Sequence, residues 1–145
     1  MKNDTENDEA AIRALIAEWA QAIRDKDVAG VMVHFVPKSV RFYMAPPLQA
    51  TIPLDENLEG WFGTFKGPID YEIRDLNIVV GGDIAYSHSF NRIAGTKQDG
   101  SEPNVWFRDT LCFRKIDDQW LIAHAHESVP FYMDEPFLAA LDLKP

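Results

Sequence analysis

The segment DTLCFRKIDDQWLIAHAHES, from Asp109 to Ser128, limits what this chain can fold into more than any other stretch. Two strand-like runs flank Asp117-Asp118, and their alternating faces are unequal. Odd positions run Val105, Phe107, Asp109, Leu111, Phe113 and then Leu121, Ala123, Ala125, Glu127, Val129, apolar except for two carboxylates. Even positions run Trp106, Arg108, Thr110, Cys112, Arg114 and then Trp120, Ile122, His124, His126, Ser128. A one-residue slip exchanges every face of a strand pair, so only an odd loop places both odd sets on one side. A loop of about three residues is therefore expected. It sets Asp109 opposite or diagonal to Glu127. Two carboxylates on a core-facing surface cost free energy unless something pairs or uses them.

At 145 residues the chain makes one domain with a real core. Its net charge of −9 argues against nucleic-acid or anionic-membrane partners, which need clustered Lys and Arg. Cys112 is the single cysteine, which excludes an internal disulfide and any multi-cysteine metal site. No apolar run approaches the ~18 residues of a membrane span, and the acidic N-terminus is unlike a secretory signal. The expected address is the cytoplasm.

Met1 to Asn7 reads as a flexible tail, and residues 8–145 as a single domain. Asp8 is a candidate N-cap for a helix whose Ile12, Leu15, Ile16, Trp19 and Ile23 form one apolar stripe. A short helix from about Asp27 to Phe35 follows, stopped by Pro37. Val40 to Met44 reads as a strand, Ala45 to Pro53 as a loop, and Asp55 as the cap of a third helix closed by Gly67-Pro68. Strands are expected at Tyr71–Val80 and Ile84–Ala94, before the final hairpin. Asp134 and Pro136 can start a last short helix. Helices first and a long meander afterwards predict an α+β domain, with helices on one face of a curved antiparallel sheet.

This order, with this hairpin, resembles the nuclear-transport-factor-2-like (NTF2-like) superfamily, its SnoaL-like branch and the association domain of calcium/calmodulin-dependent protein kinase II. The resemblance spans about Ala11 to Pro130. It is carried by Asp109-Thr110, Asp117, Trp120 and His124-x-His126-x-Ser128, with Gly82-Asp83-x-Ala85-Tyr86 and Lys26-Asp27 in support. It implies a cystatin-like, NTF2-like α+β barrel, in which the sheet wraps the first helix as a cone. A pocket then opens between helix and concave face, and the convex face makes a dimer. The superfamily holds isomerases, cyclases, dehydratases, dioxygenase subunits and proteins that only bind or assemble.

The residues read unaided agree with a covered outer face. Trp106, Cys112, Trp120 and Ile122, with His124 and His126, form too large an apolar patch to leave wet, so a homodimer through this face is expected. The two histidines point the same way and could share a metal, but no third ligand is evident nearby, and a hydrogen-bonding role is expected instead. In the next strand the larger set, Tyr86, His88 and Phe90, suits a cavity wall, and the small set, Ala85, Ser87 and Ser89, suits a subunit contact. Comparison with the kinase association domain implies cationic residues where His88, Leu111 and Glu127 stand. With two of the three replaced, a neutral or cationic ligand is favoured. Comparison with the ketosteroid-isomerase branch puts its base position at Tyr43, its tyrosine at Trp19 and its aspartic acid at Asp109. Only the last is kept.

Close carboxylates in a dry pocket cannot both ionise cheaply, so one stays protonated as an acid while the other serves as a base. The expected catalytic set is Asp109, Glu127, His88 and Tyr43, with His88 relaying a proton and Tyr43 donating to a developing oxyanion. Trp19, Phe42, Trp61, Tyr86, Phe90 and Leu111 supply walls for an apolar substrate. No cofactor and no metal are called for. Proton abstraction beside a carbonyl is the chemistry such a set supports: isomerisation, cyclisation or dehydration. Two other classes fit the same residues, a binding protein for a hydrophobic metabolite and an assembly module with a vestigial cavity. In the plainest alternative Asp109 pairs with Arg41, Arg92 or Arg108.

Overall fold

The computed structural model describes residues 4–145. Helix α1 (Asp4–Arg24) buries Ile12, Leu15, Ile16, Trp19 and Ile23 along one side, as their spacing predicts. It begins earlier than expected, so residues 4–7 are helical and not a tail, while Met1–Asn3 lie outside the described residues. Asp8 is therefore not a cap. Its Oδ1 accepts hydrogen bonds from Lys115 Nζ and Trp120 Nε1, both at 3.0 Å, and ties the helix to the hairpin.

Lys26, at a left-handed φ of 55°, turns the chain into helix α2 (Val28–Met32), which Asp27 caps by accepting from the Gly30 N–H at 3.0 Å. Strand β1 (Phe35–Phe42) follows at once, so Pro37 lies inside a strand rather than ending a helix. It falls within a register shift between Phe35 and Val40, where no regular ladder bond is asked of it. Strand β2 (Ala50–Thr51) and helix α3 (Asp55–Gly63) come next, then the long strands β3 (Phe65–Gly81), β4 (Ile84–Lys97), β5 (Asn104–Ile116) and β6 (Gln119–Ser128). Gly67-Pro68 thus belongs to β3, and Leu54 rather than Asp55 occupies the N-cap of α3. The sheet order is β2-β1-β6-β5-β4-β3, antiparallel throughout except for the parallel β1–β6 pair. The expected last helix does not form. Phe137 has a φ of 59°, and the segment is held by an isolated Phe131–Ala139 bridge and by Tyr132 donating to Asp142.

The hairpin reaches its expected facing by another route. Its loop has two residues, Asp117 and Asp118, both at positive φ (49° and 62°), with Ile116 paired to Gln119. A bulge then supplies the missing residue: Cys112 pairs with His124 but Phe113 with Ile122, which leaves Ala123 unpaired. Beyond the bulge Leu111 faces Ala125, and Asp109 lies opposite Glu127. Between turn and bulge the even residues of β6 point inward, so Trp120 and Ile122 are core side chains, 7% and 0% exposed, and not part of the outer face.

In β4 the facing is likewise opposite to expectation. Ala85, Ser87, Ser89 and Asn91 point inward and are buried, while Tyr86, His88 and Phe90 are exposed on the outer face. Ser87 pairs with Leu111 and Ser89 with Asp109, so this set shares the concave side with the odd residues of β5. Asn91 continues the same side opposite Phe107, and both are buried.

Candidate active site

A cavity of about 500 Å³ opens between α1, α3, the loop after β1 and the concave sheet. Trp19, Arg41, Tyr43, Trp61, Tyr71 and Glu127 are among its walls. Ile23, Val31 and Ile93 add apolar surface. Glu127 comes from β6 and Arg41 from the neighbouring β1, one parallel pair away (Arg41 pairs with Ala125). The Arg41 guanidinium lies 3.7 Å from Glu127 Oε1, within ion-pair reach but too long for a hydrogen bond. Its Nε–H has no partner among the described residues, although the side chain is only 5% exposed. It is stacked between the rings of Phe35 and Tyr43, at 5.0 and 4.5 Å.

Behind Glu127 stands Asp109, 2% exposed. Burial and the facing Glu127 carboxylate drive its pKa up to about 8, against the lowering by Arg41 and an Asn91 hydrogen bond. Burial also raises Glu127, with Arg41 opposing it. Arg41 sits within ion-pair distance of Glu127 and opposes the rise at both carboxyls. Asp109 is therefore the member of the pair that holds a proton at neutral pH, while the Arg41 guanidinium beside Glu127 favours the charged form of that carboxyl. Asp109 Oδ1 has no partner among the described residues, while Oδ2 accepts from Asn91 Nδ2 at 3.3 Å. Burial holds the Tyr43 phenol above its usual pKa and the Tyr71 phenol well above it, so both keep their protons.

The cavity thus brings together Glu127, Tyr43, Trp19 and Trp61, with Asp109 in contact behind. The remaining residues singled out from the sequence lie elsewhere. Leu111 is core at 2% exposure. His88, Tyr86 and Phe90 are on the far side of the sheet, so His88 cannot relay a proton to the pair. Phe42 also faces outward, edge-on to His124 and His126 at 4.9 and 5.2 Å. There it lines a more open cavity of about 660 Å³ on the other side of the Tyr43–Gln49 loop. His124 Nδ1 lies 2.6 Å from the Val40 carbonyl. Among the described residues no group of three or more His, Cys, Asp or Glu side chains is placed to hold a metal.

Three site residues were not singled out as functional from the sequence. In the sequence Arg41 presents itself only as a partner for Asp109, although Ser39, Arg41 and Tyr43 alternate along one strand run. Asn91 follows Ser89 by two residues and therefore shares its side, a signal that needed the correct facing of β4. Tyr71 left no signal beyond its place in a strand.

Comparison with known proteins matches residues 12–132 to the SnoaL-like domain family. No curated protein matches the chain. Among solved structures, an NTF2-like protein of unknown function from Pseudomonas putida KT2440 is 32% identical and has a TM-score of 0.86, over 97% of this chain and 98% of that one. The association domain of calcium/calmodulin-dependent protein kinase II from C. elegans is 16% identical with a TM-score of 0.66, over 88% and 99% of the two chains. A provisionally named dehydratase of the NTF2-like family from Streptomyces avermitilis is 14% identical with a TM-score of 0.74, over 86% and 97%. The last two likenesses bear on the fold alone.

Proposed function

The chain belongs to the SnoaL-like family of the NTF2-like superfamily, and from that premise we propose that it is a cofactor-independent acid-base enzyme acting on a neutral, largely apolar carbonyl compound. The observation that carries this reading is the buried Asp109–Glu127 pair set against Arg41 on one side of a mostly apolar cavity. With Asp109 protonated, the charges of Glu127 and Arg41 cancel, and a neutral ligand enters without leaving an uncompensated charge.

Glu127 is the base. Its carboxylate takes a proton from the carbon beside the carbonyl. The C–H electrons form the new C=C bond, and the carbonyl π pair moves to oxygen. Glu127 is then neutral and the negative charge rests on the enolate, so Arg41 exchanges one counter-charge for another without moving far. Tyr43, which keeps its proton, donates to that oxygen. Asp109 is the reserve acid behind Glu127. Return of the proton to a different carbon completes an isomerisation. Where the β-carbon carries a hydroxyl, the carbonyl instead re-forms, the enolate C=C pair becomes the Cα=Cβ bond, and the hydroxyl leaves as water with the proton from Glu127, which is a dehydration.

A binding protein without turnover is the second reading, favoured by Arg41 already balancing Glu127 in the resting cavity. Incubation in D2O with a panel of cyclic and aryl ketones separates the two. Deuterium entering the α-position, and lost in Glu127→Gln, supports the enzyme; binding of a ketone with no exchange supports the carrier. No exchange and no binding would sink both.

A homodimer through the outer face belongs to the same reading. Tyr86 and Phe90 are 47% and 40% exposed there, beside Trp106, Cys112, His124 and His126. An address in the cytoplasm fits the free Cys112 thiol. Among the described residues no helix is long and apolar enough to cross a membrane.

A further inference from the structure

Besides the Arg41 Nε–H, two buried donors line the cavity with nothing among the described residues to donate to. One is Trp19, 1% exposed, whose Nε1–H has no partner among the described residues. The other is Tyr71, 3% exposed, whose ring lies edge-on to that indole at a centroid distance of 5.8 Å.

The direction of the hydrogen bonds at Tyr71 is set from behind. Ser89 Oγ lies 2.6 Å from Asn91 Oδ1. Ser89 donates to that amide oxygen, an ordinary O–H···O length, and the amide nitrogen faces the other way. Asn91 Nδ2 then donates to Tyr71 Oη at 2.7 Å and to Asp109 Oδ2 at 3.3 Å. Both of those oxygens are acceptors in this arrangement. The Tyr71 hydroxyl proton must point away from Asn91, and no acceptor for it exists among the described residues. The reversed amide would have absorbed that proton. An unmade buried donor is costly, and a ligand oxygen removes the cost.

We propose that Trp19 Nε1–H and Tyr71 Oη–H form a two-donor subsite for the ligand's carbonyl oxygen, and that Ser89 and Asn91 are the positioning pair that keeps Tyr71 a donor. The inference rests on reading the cavity as a site for a neutral carbonyl compound, and adds where its oxygen sits. A carbonyl oxygen has two lone pairs and no hydrogen, so in the bound ketone it accepts both donors, and the third lone pair that forms on the enolate oxygen takes the Tyr43 hydroxyl. An amine or ammonium head would bring hydrogens against them and is rejected. A growing enolate charge strengthens both bonds, which makes the subsite worth more in the transition state than in the bound ketone. Burial keeps the Tyr71 phenol protonated throughout the neutral range.

The probes are α-tetralone and tetralin, which share a shape and differ in the carbonyl. Their dissociation constants are measured by titration calorimetry on wild type, Tyr71→Phe, Trp19→Phe and Ser89→Ala. Removing either donor should lower the tetralone-to-tetralin affinity ratio about five- to tenfold and leave tetralin binding nearly unchanged. Ser89→Ala, which frees the Asn91 amide to turn over, should lower the same ratio although it touches neither probe. A purely structural role would weaken both probes alike. An unchanged ratio in Tyr71→Phe overturns the subsite while leaving the cavity reading intact. Failure of wild type to bind either probe overturns the cavity reading too.

Discussion

At Asp109, burial and a second carboxylate act in the same direction, and the consequence is a dependence of stability on pH. The folded state holds a proton on Asp109 up to about pH 8, whereas the unfolded chain releases it near the ordinary value of 3.8. A raised pKa means stabilisation that is complete below the unfolded value and lost as pH rises through the folded one. Glu127, also raised by burial, contributes with the same sign. Wild-type stability should therefore fall between about pH 4 and pH 8, and Asp109→Asn should flatten that slope, as read from denaturant midpoints across the range. A slope of opposite sign in the wild type, with Asp109→Asn equal to it, would contradict a dry pair. The two carboxylates were legible in the sequence because they interrupt an otherwise apolar face. Arg41, Tyr71 and Asn91 were not, because polar side chains in ordinary strands acquire meaning only from what lies across the sheet.

The helix α1 stripe and the β5–β6 partners follow from periodicity, which survives any error in loop length. What periodicity cannot supply is where a strand slips. Ile122-Ala123-His124 carries no compositional mark of a bulge, so an odd loop was the only visible way to align Asp109 with Glu127. The real solution, a two-residue turn plus the extra Ala123, aligns the same pair but turns Trp120 and Ile122 into the core. In β4 the two alternating sets were clear, but which one faced inward depended on pairing across the loop to β5. Size was a poor guide: in β4 the small residues Ala85, Ser87 and Ser89 are buried, and Tyr86 and Phe90 are exposed. The turn itself gives a direct check. Asp118 sits at a φ of 62°, a region that costs a non-glycine residue about 1 kcal/mol. Asp118→Gly should raise stability by roughly that amount, seen as a higher denaturant midpoint with an unchanged slope. No gain would mean that the turn does not hold Asp118 in the left-handed region.

At the scale of the whole molecule, the fold leaves one face of the sheet aromatic and exposed, and the cavity on the other. A monomer has a mass of 16.5 kDa. Light scattering should give twice that mass, and Phe90→Asp, which places a charge on the outer face, should return it to the monomer value with the helix and strand content retained. A wild-type monomer would rule out the dimer without touching the site. The chain carries 23 Asp and Glu side chains, and these offer the sharpest test of the chemistry. Asp8 and Asp99 should titrate below the ordinary aspartate value because hydrogen bonds favour their charged forms. Asp109 should stand apart near 8, with Glu127 also raised. The measurement is a 13C-carboxyl NMR titration of wild type and Glu127→Gln. An Asp109 midpoint near 8 that falls when Glu127 loses its charge is the predicted result. Wild-type midpoints near ~4 for both carboxyls, with that of Asp109 unchanged in the variant, would mean that no coupled acid-base pair exists in this cavity.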